Sequence, residues 1–166
     1  MKFSPNTLTI LKNFSSINSN LTFQPGNVIQ TISVQKNIMA SANVSEQFDQ
    51  QFGIYSLPDF LGALSLFSDP DLSFKDKYVN LQEGSNSVKF YAADPSLLTQ
   101  VPNIKPFPTP FVEFELTKNV LQQVLRASAI LHVSDFSITG DGNSISTVVG
   151  DKANATSNTF SSVVSG

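Results

Sequence analysis

The sequence predicts an α+β fold in which one helix-and-strand unit is used twice, the second copy being incomplete. Three observations carry this reading. A helical pattern that opens at Ser4 returns at Thr117, 113 positions later. Each helical stretch passes into short alternating stretches punctuated by Gly, Pro and Asn, the mark of strands and turns. Between the copies Pro102, Pro106, Pro108 and Pro110 form a stretch that suits neither a helix interior nor a central strand.

In the first copy, Ser4 supplies a hydroxyl suited to an N-cap. At 100° per residue the helix puts Ile10, Leu11, Phe14 and Ile17 on one side and Thr9, Lys12, Asn13 and Ser16 on the other. Strands are expected over residues 21–23, 28–34, 38–44 and 52–55. A second helix follows over 57–67, with Pro58 in its first turn and Leu61, Leu64 and Phe67 at buried spacing. Strands over 72–74, 78–82 and 87–91 close the copy, the last two joined by a Glu83-Gly84-Ser85-Asn86 turn.

The second copy opens with a strand over 111–116 and a helix capped by Thr117. Val120, Leu121, Val124, Ala127 and Leu131 form its inward face, while Lys118, Gln122 and Arg126 form an outward stripe. Strands follow over 135–139, 144–149 and 156–164. Each copy is expected to place a strand, a glycine turn and a second strand after its first helix, over 21–29 and over 136–145. The domains are therefore 1–100, a linker at 101–110, and 111–166 as the N-terminal part of a second domain. By analogy the second copy lacks a further helix and its closing strands, about 50 residues, so the chain is expected to be a fragment or to end in an abbreviated domain.

The helix surfaces turn the repeat into a functional signal. Neither repeated helix contains Asp or Glu, in a chain with 13 acidic and 10 basic side chains and net charge −3. That segregation implies a local basic surface facing a polyanion while the rest of the molecule stays acidic. The ordinary alternative is that such Lys and Arg side chains only keep a helix soluble.

Composition excludes much else. With no cysteine there are no disulfides, thiolate metal sites or Cys nucleophiles. His132 is the only histidine and sits at a helix end, where a cation suits the dipole, so a histidine-based metal site or triad has nothing to work with. The acid pairs Asp69/Asp71 and Glu113/Glu115 read as a turn and a strand, not as a hydrolase pair. No calcium loop, phosphate-binding glycine loop or cofactor motif occurs. No apolar run approaches the roughly 20 residues of a membrane span, and the first residues lack a signal-peptide core.

Several stretches together resemble the sliding clamps, or DNA polymerase processivity factors, of T4-like bacteriophages. They are Leu11-Lys12-Asn13-Phe14 with Ile17-Asn18-Ser19, Phe60-Leu61-Gly62 with Leu64-Ser65-Leu66, Ala92-Ala93-Asp94-Pro95-Ser96, and Leu121-Gln122-Gln123 with Leu125-Arg126 and Ser128, along with the proline-rich stretch. The resemblance runs to about residue 150 and fades over 151–166.

The resemblance implies a DNA clamp fold of duplicated domains, each with helices packed on curved antiparallel sheets, and a head-to-tail homotrimeric ring when full length. It implies a non-enzymatic protein that needs no cofactor. Its expected partners are double-stranded DNA, held without sequence preference, a DNA polymerase and a clamp loader ATPase, in the cytoplasm of an infected bacterium and away from any membrane. Lys12, Lys118 and Arg126 are the expected DNA-facing residues, with Lys2 and Gln122 in support. Ile104, Phe107 and Phe111, at the domain junction, are the expected partner-binding residues; sealing the two domains together is the plainer role for them. The competing reading is a β-rich viral structural or assembly protein with no DNA role.

Overall fold

A computed structural model of the chain describes residues 1–102, 109 and 113–165. The chain divides into two compact units, Met1–Ile104 and Lys105–Gly166.

The first unit begins with helix α1 (Pro5–Ile17), whose Ser4 hydroxyl accepts the Thr7 N–H. Leu11 and Phe14 are buried and Ile10 and Ile17 partly so, while Thr9, Lys12, Asn13 and Ser16 face outward. Strands β1 (Leu21–Phe23), β2 (Gly26–Ile32), β3 (Met39–Phe48) and β4 (Phe52–Ile54) follow. Helix α2 (Leu57–Leu64) is shorter than the spacing predicts. Ser65 ends it, its hydroxyl turning back onto the Gly62 carbonyl at 2.7 Å. The buried set on α2 is Leu57, Phe60 and Leu64, with Leu61 and Phe67 only partly covered.

Strands β5 (Asp71–Phe74), β6 (Tyr78–Glu83) and β7 (Asn86–Tyr91) form an antiparallel sheet in that order. Gly84, at φ 57°, supplies the left-handed residue that lets β6 turn directly into β7. A single 3₁₀ turn, Pro95–Leu97, closes the unit, and the pattern of residues gave no notice of it.

Phenylalanine builds this core. Phe23 stacks on Phe48 with ring centroids 4.5 Å apart, and Phe74 meets Phe52 and Phe48 edge-on at 5.1 and 5.7 Å. Offset and edge-on contacts of this kind add to the burial of the rings themselves.

The second unit contains α3 (Lys118–Leu131) and a three-stranded antiparallel sheet of β8 (Asp135–Gly140), β9 (Ile145–Gly150) and β10 (Phe160–Ser165), ordered β10-β9-β8. Its core is thin, with Val124 of α3 and Thr147 and Val149 of β9 as the buried side chains among the described residues. Leu121, expected inward, is 41% exposed: α3 packs chiefly on β9 and β10, and the second unit has no further helix among the described residues to cover it.

Two further expectations are corrected. Residues 113–116 carry no strand, and 111–112 lie outside the described residues. In the first unit the matching backbone at Met1 is held by β5, through the exchange of Met1 and Leu72 N–H groups for each other's carbonyls at 2.9 and 2.7 Å; no counterpart of β5 occurs among the described residues of the second unit. The hairpin expected in both copies forms only in the second, where β8 pairs with β9. In the first, β1 pairs with β4 and β2 with β3; Gln24 and Pro25 separate β1 from β2, which opens on Gly26 at φ 116°.

Candidate nucleic-acid interface

The repeat is visible in the backbone of the two helix starts. Thr117 caps α3 as Ser4 caps α1, each hydroxyl accepting the N–H three residues on, with φ/ψ of −66°/152° and −66°/154°. The same offset of 113 relates buried Leu11 to buried Val124. Cap and core position thus fix which face each helix turns outward.

On α1 that outward face carries Lys12 among Thr9, Asn13 and Ser16. On α3 it carries Lys118, Gln122 and Arg126, all exposed. Asn119 and Gln123 are exposed as well, and Asn119 stands seven residues before Arg126 on the same side of the helix. The sequence reading missed these two amides, although their helical spacing marks them. Among the described residues neither Lys12, Lys118 nor Arg126 forms an ion pair, so their charge is directed at solvent. Lys118 occupies the first position of α3, where the helix dipole disfavours a cation and where no acidic residue compensates. Helix stability does not explain a lysine there.

Lys2 stands apart from this group. Its ammonium is paired with the Asp69 carboxylate and donates to the Asp69 carbonyl at 3.1 Å. The hydrogen bond to Asp69 raises the Lys2 pKa from its ordinary value, with nearby Asp71 and Glu83 adding to the effect. A phosphate would have to compete with Asp69 for it. Arg126 has a mixed setting, since it also borders an apolar groove of about 500 Å³ lined by Ile130, Leu131 and Phe160. Leu125, 60% exposed, lies beside the stripe.

The start of α1 is occupied from within the fold. The Glu46 carboxylate of β3 accepts the Ser4 N–H and the Thr7 hydroxyl, the latter at 2.6 Å. Burial pushes the Glu46 carboxyl up, but these two donors outweigh it and leave the pKa below its ordinary value. The Glu46 carboxylate, buried against α1, therefore sits at the helix N-terminus, where the dipole favours it, and away from the outward face.

The Ala92 to Ser96 stretch acquires a structural reason. Ala93 N–H donates to the Gly53 carbonyl at 2.9 Å, and Asp94 caps the 3₁₀ turn through the Ser96 N–H. Ile104, Phe107 and Phe111 lie outside the described residues. No group of three His, Asp or Glu side chains gathers at a metal-like site among the described residues. Among the described residues no helix is long and apolar enough to cross a membrane.

A family model described as DNA polymerase processivity factor matches residues 3–99, more than half of the chain. The chain belongs to that family. Three curated relatives, each named sliding clamp, agree with the assignment. That of Vibrio phage KVP40 is 32% identical over 148 residues, 87% of this chain and 67% of the relative. That of Enterobacteria phage T4 is 36% identical, over 84% and 62% of the two chains. That of Escherichia phage RB69 is 38% identical, over 87% and 64%. The chain thus spans about two thirds of their length.

Among solved structures, an H. pylori β clamp in complex with diflunisal matches with a TM-score of 0.60 at 16% identity, covering 99% of this chain and 54% of that one. The β chain of DNA polymerase III from Streptococcus pneumoniae matches with a TM-score of 0.55 at 12% identity, over 99% and 53%. At such identities these two show the fold alone, and that fold is a partial DNA clamp, as the family resemblance implies.

Proposed function

We propose that this chain acts as a sliding clamp, or as the larger part of one, encircling duplex DNA and tethering a replicative DNA polymerase. The observation that carries the reading is the pair of acid-free outward helix faces at repeat-equivalent positions in a chain of net charge −3. A protein that must slide needs cations and neutral amides or hydroxyls toward the phosphates, because these attract the backbone without reading sequence. Lys12, Lys118 and Arg126 supply the charge, and Gln122 supplies a neutral contact. Lys2 joins them only on releasing Asp69. As a processivity factor the protein carries out no catalytic step and uses no cofactor.

The same reading takes residues 1–100 as the first clamp domain, 101–110 as the linker and 111–166 as the beginning of the second. Three full-length subunits close the ring, a clamp loader ATPase opens it, and the work is done in the cytoplasm of an infected bacterium. Ile104, Phe107 and Phe111 remain the proposed docking residues for polymerase and other replication proteins.

The test is primer extension on a long template with the cognate polymerase and loader. Replacing Lys12, Lys118 and Arg126 together by Gln should shorten the products, and more so as salt rises, since fewer cations then hold the phosphates. Unchanged product length and unchanged salt sensitivity would remove these residues from the DNA-facing surface.

A further inference from the structure

The sheet β5-β6-β7 has an outer face set by its alternation. Val79 and Leu81 of β6 are buried, and Val88 and Phe90 of β7 pack against the same core. Tyr78, Asn80 and Gln82 therefore turn the other way, with Tyr91, Lys89 and Ser87 opposite them in that order. Charge is divided along this face. Asp71 opens β5 and Glu83 closes β6 at one end of the sheet. The other end carries the β5–β6 turn, Lys75-Asp76-Lys77, exposed throughout. Backbone hydrogen bonds fix this turn beside the two tyrosines: Lys75 N–H donates to the Tyr78 carbonyl and Ala92 N–H to the Lys77 carbonyl, both at 2.9 Å.

The two rings are placed differently. Tyr78 is half-buried, its centroid 6.0 Å from that of Tyr91, and the Lys89 ammonium stands over its face at 5.1 Å. That cation–π contact holds the Lys89 charge on the outer face. Tyr91 is 68% exposed. Packing does not account for a ring there, since Phe90 makes the inward contact of this strand end, against Phe60 at 5.2 Å. Among the described residues Lys75, Lys77 and Lys89 form no ion pair, and Asp76 offsets only one of them.

We propose that this end of the sheet binds a short stretch of single-stranded nucleic acid, a base stacking on Tyr91 while neighbouring phosphates lie on Lys75, Lys77 and Lys89. An exposed ring among lysines matches unpaired nucleotides on both counts: the base face takes the ring and the backbone takes the cations, without reading sequence. A duplex keeps its base faces in its own stack and gains nothing from the ring. An acidic peptide would meet the lysines and leave the ring unused. The site is built on other elements than α1 and α3 and does not depend on the duplex reading of those helices.

The test titrates the whole 166-residue chain, isotope-labelled, with oligothymidylate and oligouridylate of about six nucleotides, and follows the amide and Tyr91 ring shifts. With either sugar the shifts should centre on Lys75, Lys77, Lys89 and Tyr91, and should persist when Lys12, Lys118 and Arg126 are replaced by Gln. Tyr91→Leu, which keeps an apolar side chain without the ring, should weaken binding about fivefold or more, while Tyr91→Phe should leave it unchanged. Replacing Lys75, Lys77 and Lys89 together by Gln should lower the slope of log affinity against log salt by about 2. Shifts confined to α1 and α3 with both strands would overturn this proposal and leave the duplex reading of those helices standing. Equal binding of hexaglutamate would overturn it in favour of an acidic protein segment, and a Tyr91→Leu variant that binds as tightly as the parent chain would overturn it by removing the ring from the site.

Discussion

The Thr7 hydroxyl of α1 donates to the Glu46 carboxylate of β3 across 2.6 Å, a buried polar contact between residues 39 positions apart. It ties the start of the outward-facing helix to the sheet beneath it, and the depressed Glu46 pKa makes it pH-sensitive. A carboxyl with a lowered folded pKa stabilises the fold above the unfolded value of about 4.3, and this contribution disappears as pH falls through the folded pKa. Glu46→Gln should lower stability at pH 7 by about 1–3 kcal/mol, because Gln cannot serve as a charged acceptor for both donors. The deficit against the parent chain should shrink below pH 4, and urea melts at pH 7 and pH 3.5 would measure both values.

Gly53 leaves no room for a side chain. A Cβ there would stand 2.6 Å from the Ala93 carbonyl oxygen and 2.7 Å from Leu98 Cδ1. The first obstacle is backbone and can yield only by breaking the hydrogen bond from Ala93 N–H to the Gly53 carbonyl. Gly53→Ala should therefore cost about 1–3 kcal/mol. Gly62, in α2 with open space around it, provides the contrast: Gly62→Ala should raise stability by about 0.5–1 kcal/mol. Thermal melts of the two variants should move in opposite directions.

His132 ends α3 in the left-handed region at φ 54°, with its N–H on the Ser128 carbonyl. A residue with a Cβ is strained in that conformation and glycine is not. His132→Gly should stabilise the second unit by about 1 kcal/mol, seen as slower amide exchange along α3.

Much of this architecture was legible in the residues. Helix starts were readable because Ser4 and Thr117 are local signals, each satisfied by an N–H three residues away. The outward faces were readable for the same reason, since helical period alone places Lys12 opposite Leu11 and Phe14. The misses arose where a distant segment decides the outcome. Leu121 has the pattern of a core residue but lies exposed where, among the described residues, no second helix covers it, and residues 113–116 have the pattern of a strand but no partner strand among those residues. Glu46 lay outside the strand expected over 38–44 and carried no signal; only the fold brings it to Thr7. Gly53 gave no signal of its own, although the Ala92 to Ser96 stretch that packs against it did.

The most direct test of the central claim is a titration of the labelled 166-residue chain with a short DNA duplex at low salt, followed by amide chemical shifts. DNA facing predicts that the largest shifts fall on the outward faces of α1 and α3, around Lys12, Lys118, Gln122 and Arg126. They should fade as salt is added and vanish when the three cations are replaced by Gln. Shifts centred on other lysines, such as Lys75, Lys77 and Lys89, with α1 and α3 unmoved, would contradict the account.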